Sequence, residues 1–396
     1  MSKDTKGQGD ATRLAHTGRG GTRHHGVVNP PVYHVSTVTF PSLKALKDAT
    51  EGPQSDRAVT YGRRGTPTTF ALQDAIAALE GSGSTFLVPS GLSAITLSLL
   101  AVLNPGDHLL MVDCAYAPAR HFCDTVLRSL AIETTYYDPA VGADIDKLFR
   151  PTTRAVFLEA PGSVTFEMQE VSEIAVAARV HRIATLMDNT WATPVYFKPL
   201  AHGVDISIQS ITKYVGGHAD VMMGSVTASE PWLSKLRHWI HHLGLCVGSD
   251  DANLALRGLR TLETRLARHQ ATGIKLAEWL GDRREVSRAL HPALVNHPGH
   301  STWKRDFTGA SGLFGVLLKP CSDEALAAFI DGLELFGIGY SWGGFESLIA
   351  PHDPSPIRSA VPWRANGRLI RIHAGLEDSD DLIADLSAGL ARLASA

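Results

Sequence analysis

Short apolar runs separated by longer mixed stretches dominate the middle of the chain. Leu109 to Val112, Ala155 to Leu158, Ile183 to Met187 and Ile206 to Ile208 are each bounded by polar or turn residues, a pattern that predicts buried strands. Thr69 to Leu79 predicts a helix. A second helix opens at Ser90-Gly91-Leu92 and runs towards Leu103, where Asn104-Pro105-Gly106-Asp107 stops it, and Val171 to Val180 supplies a third. Helices alternating with strands buried on both faces predict an α/β fold: a mostly parallel central sheet with helices on both faces and ligands outside the carboxyl ends of the strands.

The flanking sequence is patterned differently. Residues 1–60 carry Gly and His at 18–26, the stretch Val28-Asn29-Pro30-Pro31-Val32-Tyr33 and one short helical candidate, Ser42 to Ala49. Such a segment cannot close a core alone, so it is expected to lie across another domain or a neighbouring subunit. Leu254 to Leu280 predicts a long helix, broken near Gly273 and stopped at Gly281. Beyond it a smaller α+β domain is expected, with strands at Gly312 to Leu318 and Leu369 to His373 and a helix at Glu324 to Leu335. The expected division is an extended segment over 1–60, a large domain over 61–255 and a C-terminal α+β domain over 256–396.

Composition narrows the class. With 396 residues, 44% of them hydrophobic, the chain can bury the cores of two domains. Lys and Arg total 37 against 40 Asp and Glu, with no long block of either sign, so neither nucleic acid nor an anionic membrane is favoured as a partner. Met1 to Lys6 lead into polar, glycine-rich sequence without an apolar signal region, and no apolar span reaches transmembrane length. Cys114, Cys123, Cys246 and Cys321 are far apart and read as reduced thiols of a cytoplasmic protein. The histidines show no metal-ligand spacing, so no metal is expected; His241 and His242, in a helical stretch after Trp239, read as surface or domain-contact residues.

The candidate chemistry gathers at strand ends. Lys213 closes Ser210-Ile211-Thr212-Lys213 directly after a strand, and Asp188 ends the neighbouring run Leu186-Met187-Asp188-Asn189. An amine among small hydroxyls with a carboxylate nearby suits a Schiff base to a pyridine aldehyde, the carboxylate keeping the ring nitrogen protonated; a solvent-facing lysine and a turn aspartate are the plain alternatives. Asn189 either orients that carboxylate or faces the ligand. Ser90-Gly91-Leu92 is either an ordinary helix cap or a phosphate site at a helix N-terminus, with Ser210 and Thr212 adding hydroxyls.

Tyr61-Gly62-Arg63 places a phenol and a guanidinium on one face if extended, ready to grip an anion, or forms a basic surface turn. Tyr116, after the strand Leu109 to Val112, presents a ring that can stack on a flat heterocycle or fill a core. Arg371, inside Leu369-Ile370-Arg371-Ile372-His373, needs an anionic partner if buried: a substrate carboxylate or a structural ion pair. Tyr340-Ser341-Trp342-Gly343-Gly344 reads as a pocket wall reached by a tight turn.

Together these pieces resemble the fold-type I pyridoxal-phosphate enzymes of cysteine and methionine metabolism, and among them the bacterial cystathionine beta-lyases. The resemblance is carried by Tyr61-Gly-Arg-Arg-Gly-Thr66, Leu158-Glu-Ala-Pro-Gly-Ser163, Asp188-Asn-Thr-Trp-Ala192, Ser210-Ile-Thr-Lys213, Tyr340-Ser-Trp-Gly-Gly-Phe-Glu-Ser-Leu348 and Leu369-Ile-Arg-Ile-His-Ala-Gly-Leu-Glu-Asp378, from about residue 12 to the C-terminus. It implies pyridoxal 5'-phosphate bound by Lys213, with Asp188 at the pyridine nitrogen and Tyr116 on the ring, and Lys213 and Tyr116 as the catalytic residues that move protons. The phosphate would be held by Gly91, Leu92, Ser210 and Thr212, and by Tyr61 and Arg63 of a neighbouring subunit. Arg371, assisted by Ser341, Tyr340 and Trp342, would bind the substrate, with Tyr61 also reaching it, and a homotetramer made of two catalytic dimers is implied.

The implied reaction is α,β-elimination of L-cystathionine to homocysteine, pyruvate and ammonia, with L-cystine and other cysteine S-conjugates as neighbouring substrates. Gamma-acting relatives commonly carry Glu-Ser-Pro-x-Asn-Pro where this chain has Glu159-Ala160-Pro161-Gly162-Ser163, and they lack Tyr-Ser-Trp before Gly-Gly. His241 departs from the beta-lyase pattern, which has tyrosine there near the distal substrate arm. The rival classes are a cofactor-free aldolase using Lys213 and a non-catalytic binding protein.

Overall fold

The computed structural model describes residues 7–19, 25–51 and 57–395. The expectations for Met1 to Lys6 and for the glycines and histidines at 20–24 therefore lie outside the described residues.

Two sheets organise the chain. The first contains β1 (Ser84–Val88), β2 (His108–Val112), β3 (Glu133–Tyr137), β4 (Thr153–Glu159), β5 (Ala184–Asp188), β6 (Ile206–Ser210) and β7 (Gly224–Ala228), in the order β1-β7-β6-β5-β4-β2-β3. Strands β2 to β6 run parallel, while β7 is antiparallel to both β1 and β6. Every residue of β2 is buried and all but one of β4, as expected of strands covered on both faces. The helix Gly91–Val102 packs across β6 and β7, and Val171–Val180 packs on β5. This is the mostly parallel α/β architecture expected from the pattern.

The second sheet, of order β10-β11-β12-β9-β8, is formed by β8 (Val286–Leu290), β9 (Leu313–Leu318), β10 (Gly337–Ile338), β11 (Leu348–His352) and β12 (Arg368–His373). It has its own core, with Phe314, Ile349, Ile370 and Ile372 against Leu276, Leu280 and the C-terminal helix residues Leu382 and Leu386. Residues Ala252 to Leu266 instead share a core with Leu72, Leu79, Ile211 and Tyr214.

The long helix differs from expectation. Two helices, Ser249–Leu259 and Leu262–Gly281, meet at Arg260-Thr261, and Gly273 lies inside the second. A Cβ at Gly273 would come within 2.9 Å of Gly312 Cα, so this glycine permits close approach to the second sheet and breaks nothing. The helix expected over Glu324 to Leu335 is shorter, Asp323–Asp331: the Ser322 side chain caps its start and Gly332 follows its end. The short helix Leu43–Glu51 has no buried residue at all within the chain.

Candidate active site

The carboxyl ends of β4, β5 and β6 set Glu159, Asp188 and Ser210 in a row along one rim of the first sheet. A cavity of about 710 Å³ opens over that rim, lined by Tyr116, Asp188, Lys213, Ser341 and Arg371 among others. Its outer wall is the loop carrying Asp353, Pro354, Ile357 and Arg358. That loop is held by a buried ionic knot: Arg358 pairs with Asp113 at 2.9 Å and Glu167 at 2.8 Å, and Asp113 also takes Arg120 at 3.0 Å.

Lys213 sits in the turn after β6, where its N–H donates to Ser210 O and its carbonyl accepts from Gly217 N–H. It is not the solvent-facing lysine of the plain alternative. Its Nζ donates to Ser341 Oγ at 2.6 Å and lies 5.4 Å from the centre of the Trp342 ring. Burial, and then the Arg371 guanidinium, push the amine down to about 8, against the pull of Asp188.

The wall facing Lys213 needs unusual backbone. Ser341 has φ +79° and Gly343 φ +87°, and a Cβ on Gly343 would lie 2.8 Å from both Lys213 C and Tyr214 N. His373 anchors the turn from β12, its Nε2 lying 3.1 Å from Gly343 N and 3.2 Å from Gly344 O. Burial lowers that imidazole to about 3, so it is neutral at ordinary pH.

Asp188 Oδ1 accepts the Thr190 N–H at 2.9 Å. Burial pushes its carboxyl up, opposed by Thr190 and by the Lys213 cation. Asn189 takes neither of its expected roles: its side-chain amide donates to Phe197 O at 2.8 Å. Next to Asp188 in register stands Glu159, whose Oε2 accepts the Tyr116 N–H at 2.8 Å. The Tyr116 ring remains accessible in the cavity, its phenol pushed up by burial and by the charges of Asp188 and Glu159.

At the other end of the cavity the helix Gly91–Val102 presents its N-terminus, with Ser90 Oγ accepting from Ser93 N–H. A Cβ on Gly91 would lie 2.6 Å from Ser210 Cβ and Oγ, so only glycine lets the Ser210 hydroxyl approach this helix end. Thr212 lines the same region, but its Oγ1 is engaged with the Met223 backbone.

Arg371 projects from the middle of β12 and reaches Ser341 O at 3.4 Å. Among the described residues no carboxylate lies within ion-pairing distance of it, so the structural ion pair considered for it is not formed. Burial lowers its affinity for its proton. Tyr340 is largely exposed at the rim, and Trp342 packs on Tyr214.

Tyr61 and Arg63 are not brought to this cavity within one chain. Gly62–Arg64 forms a 3-10 turn, so the two side chains do not share an extended face. The turn is pressed against Val35, whose carbonyl leaves no room for a Cβ on Gly62. Arg63 donates to His241 O at 2.9 Å and lines a second cavity of about 270 Å³ with Arg64, Arg237 and His241. His241 is half-buried there, and burial first, then the neighbouring arginines, push its pKa down. Sequence reasoning missed Glu159, His373 and the Asp113–Arg358 knot. Glu159 alone had a signal in the sequence, a carboxylate ending an apolar run.

Residues 11–391 match the family model described as Cys/Met metabolism PLP-dependent enzyme. The chain is 50% identical over 384 residues to a putative cystathionine beta-lyase of Rhizobium johnstonii, covering 96% of this chain and 95% of that protein. It is 45% identical over 388 residues to the cystathionine beta-lyase MetC of Escherichia coli, covering 96% and 98%. The crystal structure of cystathionine gamma synthase from Xanthomonas oryzae pv. oryzae is similar with a TM-score of 0.88 at 32% identity, over 98% of each chain.

Proposed function

The chain belongs to the Cys/Met metabolism PLP-dependent enzymes, and from that membership we propose that it is a carbon–sulfur beta-lyase converting L-cystathionine to homocysteine, pyruvate and ammonia. One observation carries the reading: a depressed-pKa amine, a buried carboxylate and a guanidinium that has no anionic partner among the described residues converge on a single cavity.

These residues fit pyridoxal phosphate. Ser210 Oγ makes no hydrogen bond among the described residues and faces a helix N-terminus that glycine keeps open, which suits a phosphate. Lys213 would hold the aldehyde carbon, Asp188 the pyridine nitrogen and Tyr116 the ring face, with Gly91, Leu92, Ser210 and Thr212 around the phosphate. Bound there, the cofactor supplies an electron sink for charge developing at the substrate Cα.

The chain's own groups do the rest. Arg371 clamps the α-carboxylate in a bidentate charge-assisted pair, which fixes the Cα–H bond towards Lys213. The Lys213 Nζ, poised near neutrality, takes that proton and can pass one to the departing sulfur. Ser341 Oγ, 2.6 Å from Nζ, steadies the amine between those transfers. Tyr340, Trp342 and the 353–358 loop shape the space left for the sulfur substituent. Cysteine S-conjugates and L-cystine, which also leave as stabilised sulfur, fit the same path.

The beta assignment is supported by identities of 45–50% to proteins named as cystathionine beta-lyases. Family membership displaces the cofactor-free aldolase. Incubating purified protein with pyridoxal phosphate and L-cystathionine should yield pyruvate and homocysteine. Formation of 2-oxobutyrate and cysteine would reassign it as a gamma-lyase, and absence of any oxo acid would make it a binding protein.

Self-association is supported by the family membership, and the proposed assembly is a homotetramer of two catalytic dimers. Tyr61 and Arg63, directed away from their own cavity, would complete the phosphate site and substrate rim of a neighbour. The helix Leu43–Glu51, with nothing buried in its own chain, supports a partner surface there. Light scattering that returned a monomer with full activity would contradict this. A cytoplasmic location is proposed on the four free thiols.

A further inference from the structure

Glu159 has no part in the reaction as derived above, yet its placement matches that of Asp188. Each is the last residue of its strand, and the parallel register pairs them directly. Their side chains therefore leave the same face of the sheet from backbones about 4.8 Å apart. The ion pairs at this end of the sheet join Asp113 and Glu167 to Arg120 and Arg358. Among the described residues neither Glu159 nor Asp188 has such a partner.

Two neighbouring carboxyls in poorly solvated surroundings do not both stay ionised. The nearby cation indicates which one gives way. Asp188 receives the Thr190 N–H and side chain and the field of Lys213, all of which favour its anion. Among the described residues Glu159, which is buried, accepts from the Tyr116 N–H and from Ser163 but is ion-paired to no cation.

We propose that Glu159 is a positioning residue that carries a proton in the working enzyme. It leaves Asp188 as the one anion facing the pyridine nitrogen, and it ties the main chain of Tyr116 to the sheet. The proposal rests on the assignment of Asp188 made above. Burial first, and the Asp188 charge second, push the Glu159 carboxyl upward. The other titratable groups around it do not supply a compensating cation: burial holds the Cys114 thiol and the Tyr116 phenol in their protonated forms, and Glu167 is committed to Arg358.

The test is a pH titration of the visible absorbance of the pyridoxal-phosphate-loaded enzyme, for wild type, Glu159→Gln and Glu159→Ala, with Asp188→Asn alongside. Glutamine copies the neutral acid, so the midpoint should stay within about 0.3 of wild type. Had Glu159 been ionised, the same substitution would delete an adjacent negative charge and lower the midpoint by about one unit or more, which overturns the proposal. Glu159→Ala, which strands the Tyr116 N–H, should weaken pyridoxal phosphate binding by on the order of tenfold, with Gln restoring it. Binding by the Ala variant equal to wild type refutes the positioning role. Should the Ala variant fail to fold, the Gln titration still decides the protonation state. An Asp188→Asn midpoint equal to that of wild type would instead sink the Asp188 assignment.

Discussion

Imine formation proceeds through the neutral amine, so the rate at which apoenzyme takes up pyridoxal phosphate reports the protonation of Lys213. With the amine at about 8 instead of the ordinary 10.5, roughly 10% is neutral at pH 7, against about 0.03% for an unperturbed lysine. The site thus gives an advantage of roughly 300-fold in reactive amine. Because the group is cationic when protonated and its pKa is depressed, the uptake rate should rise about tenfold per pH unit below 8 and level off above it. Arg371→Met removes the cation that, after burial, does most to hold this value down. The midpoint should then climb by about one unit and uptake at pH 7 should fall by about tenfold. Stopped-flow absorbance of apoenzyme mixed with the cofactor, from pH 6 to 10, measures both. A wild-type rate that keeps climbing through pH 9, or an Arg371→Met midpoint that moves down, would refute the reasoning.

Gly91→Ala should raise the dissociation constant for pyridoxal phosphate at least about tenfold by equilibrium dialysis, because its methyl would displace Ser210 from the helix N-terminus. Arg358→Met removes the cation of Glu167 and one of the two on Asp113, which keeps Arg120, and should cost about 1–3 kcal/mol in urea unfolding at fixed protein concentration; a loss below about 0.5 kcal/mol would mean that the loop is held by packing alone. Gly273→Ala gains about 1 kcal/mol of helix propensity but forces a methyl against Gly312 and Ser311. The crowding term, about 1–3 kcal/mol, should win, so a stabilised variant would contradict the close approach described for this helix.

Strands β2, β4 and β5 were legible because both their faces are covered, which leaves continuous apolar runs. Strands β1 and β7 carry Ser and Thr instead, and become strands through pairing with each other, with Thr85 and Thr227 bonded across the ladder at 2.7 Å. No local pattern announces that. Gly273 looked like a helix break because glycine's low propensity is visible in sequence, whereas the neighbour that requires it lies 39 positions away at Gly312. Lys213 and Asp188 stood out as charges at the ends of apolar runs. Glu159 has the same signature in Leu158-Glu159-Ala160, and its significance comes from its register with Asp188. His373 looked like an ordinary alternating strand residue, since its hydrogen bond to the Gly343 turn spans two distant segments.

The near contact between Gly343 and the Lys213 main chain means that the nucleophile is gripped between the turn after β6 and a second turn that His373 ties to the second sheet. Repacking Phe314 or Ile372 would therefore disturb chemistry at a distance, by moving one jaw against the other. A protein engineer who wants the pocket to admit bulkier leaving groups has more freedom at Pro354 and Ile357, which border the cavity without bearing on that grip.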